Sequence, residues 1–241
     1  MQIPAIEEII AQDIESLRHT PTDKSLPLSA DGVSVFLVSV ADFPSEFGNF
    51  RLVGFVNNKD LKDHVIILKG DIGDGKDVLT RIHSACLTGD SLGSKRCDCG
   101  PQLHHAMRLI EKEGRGIILY HQEEGRGIGL VNKLRAYALQ DHGYDTFDAN
   151  IALGFKADER EYSIPAAMLK KIGVSSVRLM TNNPDKITAI EKHGIVVSER
   201  IQHELPVHRQ EKFYLETKKK RFGHLLRLNT GSGANGESGA H

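Results

Sequence analysis

All three cysteines of the chain lie close together, at Cys86, Cys97 and Cys99, in the spacing C-x10-C-x-C. Thiolates this near in sequence can converge on one ion, and soft sulfur ligands favour zinc. A structural zinc site is normally closed by four protein ligands, whereas a catalytic site has three and keeps one position open. The spacing therefore favours a metal site of the catalytic kind.

Other interpretations of the cysteines stay open at this level. The thiols could be unrelated buried hydrophobic groups, or two of them could form a disulfide. A closed site is also compatible with the spacing if a histidine supplies the fourth ligand. The histidines near enough in sequence are His83, His104 and His105.

Two further stretches combine helix starts with cations. His121–Gly129 follows a predicted strand and carries three glycines beside Arg126, so its backbone N–H groups could approach an anion. Thr181–Lys186 is a second strand-to-helix junction, where Lys186 in the first turn would oppose the helix dipole unless a phosphate lay nearby. An ordinary turn and an exposed lysine are the alternatives. Together with a metal, these stretches indicate metal-assisted hydrolysis of a nucleotide.

The composition indicates a soluble globular protein. Of 241 residues, 39% are hydrophobic and 26% charged, and the net charge of −1 gives no reason to expect nucleic-acid binding. No apolar run approaches the ~20 residues of a membrane span. The N-terminus lacks the basic start and apolar centre of a signal peptide, which predicts a cytoplasmic protein without a membrane partner.

Alternating strand and helix patterns predict an α/β layered domain with a mixed, partly parallel sheet, preceded by an antiparallel β-rich segment. One predicted helix, Leu130–Asp141, turns Leu134 and Ala138 inward. Strands are predicted at 33–40, 50–56, 64–68, 77–83, 116–121, 177–180 and 195–198, and the other helices at 4–17, 101–113, 163–172, 184–192 and 213–226.

The motifs resemble one family, GTP cyclohydrolase II, the first committed enzyme of riboflavin synthesis. The likeness runs from about Phe43 to Leu226. It divides the chain into an N-terminal extension (1–30), a GTP cyclohydrolase II catalytic domain (31–228) and a disordered tail (229–241). The matching stretches are RIHSACLTGD, RCDCGPQL, GRGIILYHQEEGRGIGL, KLRAYALQDHGYDT, LGFKADER and RLMTNNPDKI.

The resemblance implies an activity and its cofactors. GTP is hydrolysed at C8, formate and pyrophosphate are released, and the product is 2,5-diamino-6-ribosylamino-4(3H)-pyrimidinone 5′-phosphate. One zinc ion per subunit and magnesium on the triphosphate are implied, as is a homodimer. A homologue that retains the formyl group and a non-catalytic, zinc-containing nucleotide-binding protein are the competing interpretations. A bifunctional relative with an additional synthase domain is not expected, because 30 preceding residues are too few to form one.

The resemblance also implies roles for individual residues. The zinc ligands would be Cys86, Cys97 and Cys99. Asp158 matches the proton acceptor, Arg160 the nucleophile and Tyr137 a tyrosine that acts in ring opening. Positions that contact GTP are matched by Arg81, Ile82, His83, Ser84, Ala85, Gln102, Glu124, Gly125, Arg126, Thr146, Thr181 and Lys186.

One of these positions departs from the family pattern. The family usually reads H-S-E-C before the first cysteine, whereas this chain reads His83-Ser84-Ala85-Cys86. A carboxylate that could contact the nucleotide or the metal's surroundings is therefore missing. The expected consequence is a change in substrate affinity or in product.

Overall fold

Seven strands form a single sheet in a computed structural model that describes residues 6–18, 32–60, 62–205 and 212–226. The strand order across the sheet is β1-β2-β3-β5-β4-β6-β7. The strands are β1 Val35–Ser45, β2 Gly48–Asn57, β3 His64–Lys69, β4 Val78–Ser84, β5 Gly116–His121, β6 Ser176–Met180 and β7 Val196–Ile201.

Seven α-helices surround the sheet in the described part of the chain. A short π-helical turn at Leu87–Ser91 and a 3₁₀ segment at Glu124–Gly127 follow β4 and β5. The helices are α1 Ile6–Arg18, α2 Cys99–Glu113, α3 Leu130–Asp141, α4 Thr146–Ala152, α5 Ser163–Lys171, α6 Pro184–Lys192 and α7 Lys212–Phe222.

The sheet changes from antiparallel to parallel at β5. Strands β1, β2, β3 and β5 pair antiparallel, whereas β5, β4, β6 and β7 pair parallel. The mixed, partly parallel α/β fold is thereby confirmed, and the antiparallel segment belongs to the same sheet. β4 is buried along nearly its whole length, as a central parallel strand covered on both faces must be.

Hydrophobic side chains cover both faces of the sheet. On one face, α1, α5 and α6 contribute residues such as Ile9, Met168 and Ile190 to the larger core. On the other face, Met107 and Ile110 of α2 belong to the second, smaller core. Helices on both faces fix the positions at which the central strands end.

The structure corrects one predicted helix and adds another. Leu134 and Ala138 of α3 point outward, and Lys133 and Ala136 are the buried residues. The inward prediction was wrong because this helix packs on a polar cavity, so its apolar side is not its buried side. Helix α4 was not predicted. The predicted disordered tail, 229–241, lies outside the described residues.

Among the helices that the structure describes, none is long and apolar enough to cross a membrane.

Candidate active site

A cavity lies where the central parallel strands β4, β5 and β6 end. Ala85 follows β4, Glu123 follows β5 and Thr181 follows β6, and all three line the cavity. It encloses about 1110 Å³ including its open mouth. The carboxyl ends of parallel strands are the usual place for a ligand in an α/β sheet.

The structure brings together most of the predicted site residues around this cavity. Two do not line it. The Ile82 side chain lies in the hydrophobic core, and the Asp158 carboxylate accepts a hydrogen bond from Arg160. The predicted residues that line the cavity are Arg81, His83, Ser84, Ala85, Cys86, Cys97, Cys99, Gln102, Glu124, Gly125, Arg126, Tyr137, Thr146, Arg160, Thr181 and Lys186.

The three thiols converge at one end of the cavity. Their sulfur atoms lie within 4.8 Å of one another, and the Sγ atoms of Cys86 and Cys97 are 3.7 Å apart. Bonds of ~2.3 Å to a tetrahedral zinc place two sulfurs about 3.8 Å apart. The arrangement is therefore of the right size to hold zinc, and the cysteines are free thiols rather than a disulfide.

Gly89 makes room for this cluster. A Cβ at this position would lie 2.7 Å from Cys97 Sγ and 3.1 Å from Cys86 Sγ. The three histidines considered as a fourth ligand have other neighbours. His83 pairs with Asp90, His104 stacks on Phe47, and the His105 ring lies against His203. Within the described residues no histidine or carboxylate joins the three cysteines, which agrees with a site that keeps a position open.

Cys86 carries the negative charge of the cluster. Hydrogen bonds from the Cys97 and Cys99 thiols, and then from the Lys133 ammonium, lower the pKa of Cys86 well below its ordinary value. Lys133 Nζ is 3.0 Å from Cys86 Sγ. A thiolate is the form of cysteine that binds metal, so this end of the cavity already favours a cation.

The opposite end of the cavity favours an anion. Lys186 is buried with its ammonium donating to Ile82 O at 2.9 Å, and no described carboxylate lies within salt-bridge distance of it. Burial, followed by the charges of Arg81 and Arg160, moves the pKa of Lys186 well below its ordinary value. Uncompensated cations in a buried site are expected where a phosphate binds.

Several cavity residues also hold buried polar atoms without a partner. These atoms are Arg81 Nε, His83 Nδ1, Ser84 Oγ and Arg126 Nη1. Buried polar groups are nearly always hydrogen-bonded, so four cavity atoms without a hydrogen-bond partner among the described residues indicate a polar ligand. All four residues belong to the positions matched to nucleotide contacts.

The family model for GTP cyclohydrolase II matches residues 37–202, which is more than half of the chain. This chain belongs to the GTP cyclohydrolase II family. The resemblance inferred from the motifs is confirmed, and the match covers β4, β5 and β6 with the loops that follow them.

Individual relatives agree with this family. The GTP cyclohydrolase-2 of Actinobacillus succinogenes is 54% identical over 189 residues, which cover 78% of this chain and 87% of that protein. The riboflavin biosynthesis protein RibBA of Bacillus mycoides is 53% identical over 185 residues, 77% of this chain and 47% of its own. The chain therefore spans about half the length of the RibBA relatives that it matches.

One solved structure also shows a likeness. It is RibBX, a two-domain 3,4-dihydroxy-2-butanone 4-phosphate synthase from A. baumannii, at a TM-score of 0.31 and 18% identity. The match covers 61% of this chain and 34% of that one. This likeness is too weak to support a conclusion about fold or function.

Two GTP cyclohydrolase II positions, Asp158 and Arg160, form a bidentate ion pair. Arg160 Nε donates to Asp158 Oδ1 at 2.9 Å, and Nη2 donates to Oδ2. Burial alone would raise the pKa of Asp158, but the hydrogen bonds and charge of Arg160 outweigh it and lower that pKa. Asp158 is therefore a carboxylate that orients Arg160 towards the cavity.

Tyr137 faces the end of the cavity where the three thiols lie. Its Oη lies 3.4 Å from Thr88 Oγ1, and the Arg96 guanidinium covers its ring at 4.4 Å. Burial raises the pKa of its phenol above the ordinary value. The hydroxyl therefore stays protonated at neutral pH and can act as a proton donor.

Ala85, the departure from the GTP cyclohydrolase II pattern, lies beside the thiols and lines the cavity. Its backbone N–H donates to His121 O at 2.7 Å, so the backbone here is held by β5 whatever the side chain. The missing carboxylate thus changes what the cavity offers a ligand, with the strand pairing left intact.

Sequence reasoning missed Lys133 as a site residue. Its ammonium contacts Thr88 Oγ1 at 2.8 Å and Glu124 Oε1 at 2.7 Å as well as the Cys86 thiolate. Burial lowers its pKa, but the bonds to Cys86 and Glu124 outweigh burial and raise it, so Lys133 is a fixed cation. The signal available in the sequence was its spacing of four residues from Tyr137, which places both on one helix face.

A second set of possible metal ligands lies outside the cavity wall, at Asp60, His64 and His121. His64 Nδ1 accepts from the Gln122 N–H at 3.2 Å, so its proton sits on Nε2 and points at Asp60. That nitrogen then offers no lone pair to a metal. Hydrogen bonding within the fold accounts for His64 and Asp60.

Proposed function

We propose that this protein hydrolyses GTP at C8 in a zinc-dependent reaction and releases formate and pyrophosphate. The product is 2,5-diamino-6-ribosylamino-4(3H)-pyrimidinone 5′-phosphate, and the reaction is the first step of riboflavin biosynthesis. The observation that carries the proposal is one cavity with a three-thiol cluster at one end and, at the other, buried Lys186 without a described carboxylate in salt-bridge distance. Such a cavity suits a ligand with a reactive ring and a phosphate chain.

Cys86, Cys97 and Cys99 would hold the zinc ion, which supplies Lewis-acid activation of water when bound. Tyr137, next to the thiols, donates a proton to the purine ring nitrogen as the C8–N bond breaks. One water adds in this ring opening, and a second releases formate from the resulting formamide. The balance of the ring chemistry therefore needs no oxidant or reductant.

Pyrophosphate leaves in a separate displacement by water at the α-phosphorus. Arg160 and Lys186 place cationic groups away from the thiols, where the phosphate chain would lie. Magnesium enters with the triphosphate. Arg160 stays protonated in its bond with a carboxylate whose pKa is lowered, which favours a charge clamp over a nucleophile. Asp158 then orients the clamp, and its lowered pKa makes it a weak base.

The proposal includes a substrate and an oligomeric state. GTP is the small-molecule substrate, and the protein acts as a homodimer. The cytoplasmic location and the absence of nucleic-acid and membrane partners stay predictions from the sequence.

Separate assays of formate and pyrophosphate test the proposed reaction. Purified protein is loaded with zinc, incubated with GTP and magnesium, and both products are quantified against GTP consumed. Equal amounts of formate and pyrophosphate are expected. Pyrophosphate without formate would indicate a formyl-retaining enzyme, which Ala85 makes a specific alternative, and no consumption of GTP would reject the enzyme activity.

A further inference from the structure

The C-terminal helix α7 lies beyond residue 202, where the family match ends, yet it forms part of the cavity wall. Lys218 of α7 and the following His224 and Leu226 all line the cavity. None of them was among the predicted nucleotide contacts.

Two contacts attach this segment to different loops of the site. Lys218 Nζ lies 2.7 Å from Oδ1 of Asp98, the residue between two of the cysteines, in a nearly buried ion pair. The Leu225 N–H donates to Asn182 O at 2.8 Å, in the loop after β6. The segment from α7 to Leu226 is therefore attached both at the thiol end of the cavity and at the loop after β6.

The ion pair continues into the site through hydrogen bonds. Gln102 Nε2 donates to Asp98 Oδ2, and Arg81 Nη2 donates to Gln102 Oε1. Lys218 is thus connected through Asp98 and Gln102 to Arg81, whose guanidinium holds one of the unpartnered cavity atoms. A substitution at Lys218 can therefore alter the position of the Arg81 side chain through these hydrogen bonds.

The segment also places an uncharged imidazole, that of His224, among the cations of the cavity. Burial and four neighbouring cations lower the pKa of His224 to about 2. The imidazole is therefore surrounded by positive charge with no described carboxylate in salt-bridge contact. The four cations are Lys218, Arg126, Arg160 and Lys186.

We propose that α7 is part of the substrate site, with Lys218 and His224 forming the C-terminal side of a subsite for a polyphosphate chain. Lys218 is also a positioning residue, because its ion pair with Asp98 holds α7 on the metal loop, the segment 86–99 that carries the three cysteines. The proposal depends on the proposed function for the identity of the substrate. Its ligand class can be tested without turnover, with inorganic tripolyphosphate as the probe.

Titration calorimetry of the full chain with tripolyphosphate tests the subsite. Lys218→Met should weaken binding by about tenfold or more, since a hydrogen bond from a charged group is worth ~1.5–3 kcal/mol. Lys218→Arg should restore most of the affinity. Lys219→Met, an exposed neighbour on the same helix, is the matched control and should bind like the wild type.

His224→Gln provides a second variant that leaves the ion pair intact. It should also weaken tripolyphosphate binding, and KM for GTP should rise about tenfold in both variants while kcat changes less than about threefold. Limited proteolysis should cut α7 faster in Lys218→Met than in Lys219→Met. A merely structural lysine would not produce this separation of KM from kcat.

The two proposals fail in different ways. If the wild type binds tripolyphosphate but leaves GTP unchanged, the proposed reaction is wrong and the subsite stands. Wild-type affinity in both Lys218→Met and His224→Gln would overturn the subsite, as would a wild type that does not bind tripolyphosphate. A fall in kcat with unchanged KM would assign Lys218 to the metal loop alone and overturn its phosphate role.

Discussion

Tyr137 is placed where ring opening and phosphate chemistry can be separated. Its hydroxyl is near the thiols, and burial keeps it protonated. Tyr137→Phe should therefore retain GTP consumption and pyrophosphate release while formate falls by roughly 10²–10⁴-fold, the usual value of general acid catalysis. A formylated intermediate should accumulate and can be detected by mass spectrometry.

An exposed tyrosine offers the control for this variant. Tyr144→Phe removes the same atom from a residue outside the cavity wall and should change neither product. Equal loss of formate and pyrophosphate in Tyr137→Phe would mean that Tyr137 supports GTP binding or folding instead.

Lys133 should matter for metal affinity as well as for catalysis. A zinc centre with three thiolates carries a net charge of −1, which the Lys133 ammonium at 3.0 Å from Cys86 Sγ stabilises. Lys133→Met should therefore lower zinc affinity by about 10–100-fold, the range seen when a group behind a metal ligand is removed. Competition with a chromogenic chelator measures the affinity directly.

The pH dependence of this effect has a defined sign. Without Lys133 the pKa of Cys86 rises, so protons compete better with zinc at low pH. The difference between Lys133→Met and wild type should be larger at pH 6 than at pH 8. Arg135→Met, on the exposed side of α3, is the control, and an equal loss of affinity in that variant would argue against a local effect.

At the scale of elements, the turn between β4 and α2 depends on Gly89. A methyl group there would meet the sulfurs of Cys97 and Cys86. Gly89→Ala should therefore abolish stoichiometric zinc binding while circular dichroism and the melting temperature of the metal-free protein change little. Ser91→Ala, in the same turn with an exposed side chain, should bind one zinc, and normal zinc content in Gly89→Ala would contradict the tight packing.

Hydrophobic periodicity predicted most elements of the sheet and failed at α3. A helix over Leu130–Asp141 was correct in its bounds, but its buried side holds Lys133 and Ala136. Periodicity assumes that the buried side of a helix is apolar. Where a helix packs on a polar cavity, its buried side can be polar instead. Only the three-dimensional neighbours of the helix show which side is buried.

The sequence likewise predicted one part of the candidate site and missed another. Contiguous motifs identified the cysteines and the loops after β4, β5 and β6, because each lies in one short stretch of sequence. Lys218 lies 120 positions from its partner Asp98, and spacing contains no signal for a contact of that range. The basic run at 218–221 is, by composition alone, typical of a solvated helix face, whereas Lys218 is buried.

For the whole molecule, buried neutral histidines make stability depend on pH. Burial, helped by the charge of His64, lowers the pKa of His121 to about 3, and neither ring nitrogen has a hydrogen-bond partner within the described residues. Between this value and the ordinary 6.5 the unfolded chain binds more protons than the folded one. Unfolding free energy should therefore fall as pH falls through this window, by up to about 1.4 kcal/mol per pH unit for one histidine.

The variant His121→Phe tests this assignment. It keeps a ring in the space and removes the titrating group, so the slope of unfolding free energy against pH should become flatter between pH 6.5 and 4. Urea unfolding at several pH values measures the slope. His142→Phe, at an exposed position, should leave it unchanged, and identical slopes in wild type and His121→Phe would reject the prediction.

The outward side of α3 is where the proposed homodimer should be tested. Val131 and Leu134 are 66% and 49% exposed and lie one turn apart on the same side of the helix. Apolar residues exposed together favour an interface. Val131→Glu combined with Leu134→Glu should therefore shift the mass in light scattering from dimer to monomer, whereas Ile151→Glu, 50% exposed on α4, should not. A dimer that persists would place the interface elsewhere.

The position of β4 has a consequence for synthesis of the chain. In the described sheet β4 pairs with β5 and β6, both of which follow it in sequence, and the cysteine-bearing segment 86–99 begins just after β4 ends. About 80 residues separate Cys99 from Met180, the end of β6. At ~5–20 residues per second the nascent thiols wait roughly 4–16 s for the strands that enclose them. During that interval they are open to oxidation and to any thiophilic ion at the ribosome, so metal loading is a competition that begins before the fold is complete.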